Sequence, residues 1–263
     1  MSLTQLFADL EQQEWVTIPQ GWLQGRTIFG GLSTAMMLHK ATLAVNDPAK
    51  RLLSTSISFV APVQEKPVKV TVEILRQGKS VTTVEARVWQ DDAVMSILLA
   101  SFGLERESSL EIHQQRPAPN YPQPEELLII PHNKLMPQCY QNFDLAWAEG
   151  AYPCSSSPQA DFGGWFRFTE KFGPGDMSMP EFIALLDIWP AGAFPVLKAP
   201  APGSSLSWHV TMLDSVKFQR LDWFKYKVFT DYAEHGYATE YAHIWDANDR
   251  LIAISRQTVT IFA

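Results

Sequence analysis

The apolar positions between residues 29 and 45 predict one long buried helix. Apolar residues recur there at the spacing of a single helical face, and others widen that stripe until the segment is apolar nearly all round. A helix of this kind offers no polar face to solvent, so we expect it in the core. The residues that form the stripe are Leu32, Ala35, Met36, Met37, Leu38 and Leu43.

Segments of strand character follow the helix, and turns that contain Pro, Gly or Asp separate them. Short turns between consecutive strands favour antiparallel pairing. A further strand is predicted before the helix, in residues 15–25. The predicted strands after the helix cover residues 52–60, 68–75, 80–89 and 93–102.

The second half of the chain repeats this order of elements. A strand is predicted at residues 163–172, and a helix at 178–189 that Pro190 ends. Trp89 and Trp245 mark equivalent strand ends in the two halves, and an acidic turn follows each of them. The remaining predicted strands cover residues 206–218, 223–232, 237–245 and 250–262.

A repeat of this length indicates a duplicated domain rather than a solenoid. We predict an N-terminal domain in residues 1–110, a Pro-containing linker in 111–150 and a C-terminal domain in 151–263. The predicted fold class is α+β, with two tandem copies of a long buried helix wrapped by a curved antiparallel sheet. This arrangement is a double hotdog. Duplicated domains usually build a site between their copies.

Composition narrows the possible partners and the compartment. The net charge of −7 argues against nonspecific binding of nucleic acid, which depends on many Lys and Arg contacts to phosphate. Cys139 and Cys154 are too few for a disulfide framework and are expected to be reduced thiols. The N-terminal residues lack the pattern of a signal peptide, and Asp and Pro interrupt the most apolar stretch. We therefore expect a cytoplasmic protein with no membrane partner.

Several segments in order resemble the type II acyl-CoA thioesterases. In the first half these are "GRTIFGGLSTAMM", "SISFVAPV" and "VEILRQGKSVTTVEARVWQDD", and in the second "FIALLDIW", "VTMLDSVKF" and "IAISRQTV". The resemblance covers nearly the whole chain apart from the linker. It implies a double hotdog that hydrolyses acyl-CoA to free acid and coenzyme A, without a metal or other cofactor, in fatty acid metabolism. By the same analogy we expect a homodimer or a larger homo-oligomer.

The resemblance also implies a catalytic set. In that family an Asp, a Thr or Ser, and a Gln bind and orient the water that attacks the thioester. Segment by segment these roles fall on Asp187, Thr211 and Gln257. The linker diverges from the family, and Arg256-Gln257-Thr258 replaces its common Gln-Glu-Gly run. The resemblance therefore does not identify the acyl group of the substrate.

The residues themselves leave alternatives for each of these roles. Asp187 lies near the end of an apolar helix, where burial and the helix dipole should raise its pKa, but it could also be a local cap. Thr211 could simply be a good strand former, and Gln257 could make a structural hydrogen bond. His209, two residues from Thr211, is a rival base.

Candidate substrate-binding residues lie in two glycine-containing segments. The amides of Gly30 and Gly31 open the predicted helix and can hold an oxyanion or a carbonyl, or else allow tight helix–sheet packing. Around the turn at Gly78, Arg76 and Lys79 are candidates for the coenzyme A phosphates, as is Arg26. Surface bases of this kind are more often simply solvated.

Two other functions use the same fold. One is a noncatalytic acyl-CoA binder. The other is a hotdog enoyl-CoA hydratase, for which Asp231 and His235 are the one Asp/His pair at a suitable spacing, although the rest of its motif is missing. A serine nucleophile is not expected, because the sequence has no Gly-x-Ser-x-Gly elbow.

Overall fold

A ten-stranded antiparallel sheet dominates the computed structural model, which describes residues 2–134, 136–213 and 217–263. The N-terminal half supplies β3 (Arg51–Phe59), β4 (Lys69–Gln77), β5 (Val81–Gln90) and β6 (Ala93–Gly103). The C-terminal half supplies β7 (Phe143–Gly150), β8 (Phe162–Phe168), β10 (Gly203–Met212), β12 (Phe224–Glu234), β13 (Tyr237–Trp245) and β14 (Leu251–Ile261). The strand order is β4-β5-β6-β3-β10-β14-β13-β12-β8-β7.

The two halves join at the centre of this sheet, where β3 pairs with β10. The shorter elements are α1 (Leu3–Gln12), β1 (Leu23–Gln24), β2 (Thr27–Ile28), β9 (Asp176–Met177) and β11 (Phe218–Gln219). Two helices, α2 (Gly30–Val45) and α3 (Met179–Leu186), pack against each other, and α2 also covers β4, β5 and β6. The join therefore brings the two helices of the repeat together over one continuous sheet.

Helix α2 confirms the predicted buried helix. Most of its residues are buried, including both methionines of the apolar stripe. It ends at Asn46, which adopts the left-handed conformation common after a helix. Leu43 is the exception to the predicted stripe, since it is 44% exposed. It lies in the last turn of the helix, beyond the cover of the neighbouring elements.

Helix α3 is shorter than predicted. Ser178 caps its start, and the Glu181 carboxylate accepts a hydrogen bond from the Ser178 backbone N–H in return. The helix ends at Leu186, and Asp187 takes the C-cap position. Pro190 disfavours helical geometry at the preceding Trp189, so the chain leaves the helix before it. Asp187 therefore lies at a helix end rather than within a helix.

Other predicted elements also differ from the structure. Residues 15–25 do not form one strand; Val16 makes an isolated bridge to Val68, and Gly21 turns the chain with a φ of 86°. Strand β7 lies within the predicted linker 111–150, because its apolar residues pair with β8. The predicted strand 206–218 extends over residues 214–216, which lie outside the described residues. The division into two domains stays a prediction.

Helix α1 was not predicted from the sequence. Ser2 caps it, and its buried residues pack into the main core: Leu3, Leu6, Phe7 and Leu10. Among the described residues, no helix is long and apolar enough to cross a membrane.

Candidate active site

A cavity of about 630 Å³ lies where the two halves meet. Gly30 at the start of α2 and Phe59 at the end of β3 line it from the N-terminal half. Asp187 after α3, Ser205 on β10 and Gln257 on β14 line it from the C-terminal half. The cavity thus joins polar groups from both copies of the repeat.

Asp187, Gln257 and Ser205 form one hydrogen-bonded chain on the cavity wall. The Gln257 side-chain amide donates from Nε2 to Asp187 Oδ1 at 3.1 Å. The Ser205 hydroxyl donates to Gln257 Oε1 at 2.9 Å. Because the amide donates on one side and accepts on the other, these two contacts fix its orientation. The arrangement holds one oxygen of the carboxylate in place.

The start of α2 approaches the same carboxylate. The backbone N–H of Gly31 donates a hydrogen bond to Asp187. A Cβ atom at Gly30 would lie 2.8 Å from Asp187 Oδ2, and one at Gly31 would lie 2.6 Å from the Ala184 carbonyl oxygen. Both positions therefore need glycine for this close approach. The structure therefore places Gly30 and Gly31 directly beside Asp187.

Burial raises the pKa of Asp187 from 3.8 to about 7. The hydrogen bonds from Gln257 and Gly31 act in the opposite direction, because they stabilise the charged form. The result is a carboxylate that exchanges its proton near neutral pH. A group with this pKa can accept a proton from water and return it later in the same reaction.

The structure does not bring Thr211 to this site. Thr211 lies on the outer face of β10, and its hydroxyl is 3.3 Å from His209 Nε2. The inner face of the strand carries the buried Trp208 instead. A bulge between Ser205 and Ser207 shifts the alternation of β10 by one residue. The Ser205 side chain therefore points to the inner face of the sheet, next to β14. The hydroxyl beside Gln257 therefore belongs to Ser205, whereas Thr211 lies on the opposite face of β10.

His209 shares the outer face with Thr211. Its Nδ1 is 2.8 Å from the Ser56 hydroxyl on the neighbouring strand β3. The sheet itself separates this imidazole from the Asp187 carboxylate. His209 is thus a surface residue with local partners, and its position gives no support to a role as base in the cavity.

The turn that holds Arg76, Gly78 and Lys79 lies at the other end of the sheet. Strand β5 begins beside Gly103, whereas the cavity-lining Ser96 is near the start of β6. Seven residues of strand separate these positions, or about 23 Å at the usual rise. The three residues are therefore not brought to the cavity.

Arg26 is placed differently from those bases. It is exposed in the turn between β1 and β2, and its neighbours Gln24 and Thr27 both line the cavity. Arg26 thus lies at the edge of the opening, on the N-terminal side.

The Asp231 and His235 pair of the hydratase alternative lies outside the cavity. His235 occupies the turn after β12 with a φ of 55°, and its side chain is 83% exposed. Asp231 is 3.5 Å from Arg256 on the outer face. These positions do not support the hydratase alternative.

Sequence reasoning placed neither Trp189 nor the two cysteines at the cavity. Trp189 lines the cavity and stacks on Tyr226, with ring centroids 5.0 Å apart. Cys154 also lines the cavity, whereas Cys139 is fully buried behind it, and both are free thiols. Over the described ranges, no group of three or more His, Cys, Asp or Glu side chains could hold a metal ion.

Solved structures of similar overall shape share this architecture. A conserved protein of unknown function with a hot dog fold from Alicyclobacillus acidocaldarius is 20% identical, with a TM-score of 0.81, over 95% of this chain and 92% of that chain. An acyl-CoA thioesterase II from Mycobacterium marinum is 19% identical, with a TM-score of 0.71, over 89% of this chain and 90% of that chain. At such identities the likeness establishes the fold, and it confirms the predicted hotdog arrangement.

Comparison by sequence extends this result from fold to family. Among curated proteins no sequence matches the chain. The acyl-CoA thioesterase N-terminal domain matches residues 18–103, and the acyl-CoA thioesterase C-terminal domain matches residues 113–261. The two matches occur in the order of the repeat and together span most of the chain. The chain therefore belongs to the acyl-CoA thioesterase family.

Proposed function

We propose that this protein hydrolyses acyl-CoA thioesters with a water molecule that Asp187 activates. The observation that carries the proposal is the contact of Gln257 with Asp187 on the cavity wall, at a carboxylate whose pKa is raised to about 7. Membership of the family supports thioester hydrolysis in general. The assignment of Asp187 as base follows from this geometry.

In the first step the ionised Asp187 takes a proton from water, and the water oxygen bonds to the thioester carbonyl carbon. The carbonyl electrons move to oxygen and form an oxyanion. In the second step the carbonyl re-forms and the C–S bond breaks. The leaving sulfur takes the proton from Asp187. The free acid and the thiol are the products, and the carboxylate is regenerated.

Stabilisation of the oxyanion requires a hydrogen-bond donor that points at the carbonyl oxygen. The Gly30 N–H is at the first position of α2, where a helix provides no internal acceptor. Gly30 also lines the cavity, and the positive end of the helix dipole lies at this terminus. We assign the oxyanion to this amide, because the Gly31 amide is already bound to Asp187.

Gln257 and Ser205 act as a positioning pair in this account. Gln257 keeps Asp187 Oδ1 in one orientation, which leaves Oδ2 beside Gly30 to meet the water. Ser205 holds the far side of the amide. Arg26, at the edge of the cavity, is the base that we assign to a phosphate of coenzyme A.

Assembly of the chain into a homodimer or larger homo-oligomer is also part of the proposal. Strands β4 and β7 are at the two edges of the large sheet and have one strand neighbour each. Edge strands carry backbone groups that can pair with another chain. Light scattering on the purified protein measures the mass directly, and a monomer at all concentrations would contradict this part.

The experiment that tests the reaction measures thiol release from acyl-CoAs with short, medium, long and aromatic acyl groups. Carried out in ¹⁸O-labelled water, hydrolysis should place one labelled oxygen in each released acid. Thiol release without label would contradict attack by water. Binding of acyl-CoA without any thiol release would instead favour the noncatalytic acyl-CoA binder.

A further inference from the structure

A short loop follows Asp187 and carries part of the cavity wall. Trp189, Pro190 and Ala191 of this loop all line the cavity. At its far end the Gly192 backbone N–H donates to Glu240 Oε2 at 2.7 Å. Glu240 is on β13 and only 4% exposed, so this contact is inside the protein. The loop therefore ends on a buried carboxylate.

The two ends of the loop are held by neighbouring residues of the sheet. Glu240 lies directly opposite Gln257 in the pairing of β13 with β14. Residues opposite each other in an antiparallel pair point to the same face. Gln257 holds Asp187 at one end of the loop, and Glu240 holds Gly192 at the other. One pair of adjacent side chains thus sets the position of the whole loop.

Packing leaves little freedom at the Gly192 end. A Cβ atom there would lie 2.7 Å from the Thr230 hydroxyl oxygen and 2.9 Å from Val228 Cγ2. The Gly192 carbonyl accepts a hydrogen bond from the Asp161 backbone N–H at 3.0 Å. This close packing leaves Gly192 little room to move away from the Glu240 carboxylate.

We propose that Glu240 is a positioning residue for the Asp187–Gln257 pair, which it serves by holding the Gly192 end of the loop that begins at Asp187. The proposal rests on the proposed function, because it assigns Glu240 to the same hydrolytic site. Glu240 does not line the cavity and does not touch the substrate in this account. It acts on the reaction through the position of the loop and through its own charge.

Charge adds a second effect of Glu240 on the site. Burial raises the pKa of Glu240 to about 7, and the nearby Asp161 and Asp187 carboxylates raise it as well. Coupling between two carboxylates is mutual, so an ionised Glu240 also disfavours ionisation of Asp187. Within the described part of the chain, Tyr226 on β12 also faces both carboxylates. Tyr140 and Cys139 face Asp187 from the segment before β7.

Two variants of Glu240 separate position from charge. Glu240→Gln keeps an oxygen that accepts from Gly192 but removes the charge, whereas Glu240→Ala removes both. Glu181→Gln is the matched control, since Glu181 is a buried carboxylate of α3 that binds Ser178 and Arg220. Each variant is measured for kcat, KM and the pH profile of kcat/KM. Hydrogen exchange of residues 188–193 and the pKa of Asp187 by NMR are followed in parallel.

We expect Glu240→Ala to lower kcat by about tenfold or more, with a smaller change in KM and faster exchange in the loop. Glu240→Gln should keep kcat within about threefold of the wild-type value and move the acid limb of the kcat/KM profile to lower pH. Wild-type kcat and exchange in Glu240→Ala would overturn the proposal. Equal losses in both variants with an unmoved acid limb would overturn it too, because they indicate a merely structural residue.

Failure of the proposed function is distinguishable from failure of this inference. If the wild-type protein releases no thiol, the hydrolytic function fails. The exchange of the loop and the pKa of Asp187 then decide about Glu240. Faster exchange in Glu240→Ala and a lower pKa of Asp187 in Glu240→Gln support the positioning role. Unchanged values in both variants overturn it.

Discussion

The Ser205 hydroxyl on β10 reaches the Gln257 side chain on β14 because β10 contains one extra residue between Ser205 and Ser207. Without that bulge, the alternation of the strand would turn Ser205 to the outer face. The contact links the edge of the cavity to the amide that orients Asp187. The bulge is therefore part of the site.

The first prediction concerns this hydroxyl. Ser205→Ala leaves the Gln257 Oε1 without its donor, so the amide can rotate and its hold on Asp187 weakens. We expect kcat to fall by about five- to tenfold, the loss of one ordinary hydrogen bond. Thr211→Ala is the control and should keep wild-type kcat, since Thr211 lies on the other face. A loss in Thr211→Ala with an unaffected Ser205→Ala would reverse our assignment.

A second prediction concerns the pH dependence of catalysis. Only ionised Asp187 can take a proton from water, and burial raises its pKa to about 7. As pH increases towards 7, we expect kcat/KM to rise about tenfold per pH unit, and above pH 7 we expect it to level off. A profile that stays flat from pH 5 to pH 8 would show that no group of this pKa controls the reaction.

The raised pKa of Asp187 also affects stability. Its folded pKa of about 7 exceeds the ordinary 3.8, so the folded state holds the proton more tightly than the unfolded state. The protonated form thus favours folding, and this contribution is lost as pH rises from about 4 to about 7. Relative to Asp187→Asn, the wild type should lose up to about 4 kcal/mol over this range. Urea unfolding at pH 4 and pH 8 measures the difference, and equal differences at both pH values would contradict burial of the charge.

Gly30 should not tolerate a side chain. A Cβ atom there would lie 2.8 Å from Asp187 Oδ2 and 3.2 Å from the Phe59 ring. Gly30→Ala should displace the carboxylate and lower kcat by about a hundredfold, even though Ala favours the helix. Thr42→Ala, on the exposed side of α2, is the matched control. Unchanged kcat in Gly30→Ala would mean that the carboxylate has room elsewhere.

Arg26 provides a test of whether the site recognises a phosphate of coenzyme A. Arg26→Ala should raise KM for acyl-CoA by about three- to tenfold and leave KM for the matching acyl-pantetheine unchanged, because the latter has no phosphate. Arg76→Ala is the control and should change neither, since Arg76 is on the turn at the far end of the sheet. The same KM change for both substrates would exclude a phosphate contact.

Much of the fold could be predicted from the sequence, because buried apolar positions recur with the period of the helix or strand that carries them. The apolar stripe predicted α2, and the strand from Tyr237 to Trp245 has the predicted bounds. The early end of α3 was harder to predict, since the residue before Pro190 is only one of several places where a helix can stop. Strand β7 was hidden within a segment whose prolines indicated a linker.

The candidate site was only partly accessible to sequence reasoning. Asp187 and Gln257 were found through the resemblance, and the structure brings them together. Thr211 was assigned through the resemblance, and alternation along β10 identifies neither the inner face nor the bulge that brings Ser205 to Gln257. The turn at Gly78 was predicted correctly as a turn, yet a local pattern cannot show at which end of a sheet a turn lies. Glu240 gave no local signal, because its role depends on pairing with a distant strand.

The most direct test of the central claim compares the wild type with Asp187→Asn in thiol release from the best acyl-CoA substrate, together with the Kd of a nonhydrolysable analogue. Asp144→Asn, which removes a carboxylate paired with Arg167 away from the cavity, is the matched control. We predict that Asp187→Asn loses at least about a hundredfold in kcat while Kd stays within about threefold. Equal turnover in Asp187→Asn and the wild type would contradict the assignment of Asp187 as the base.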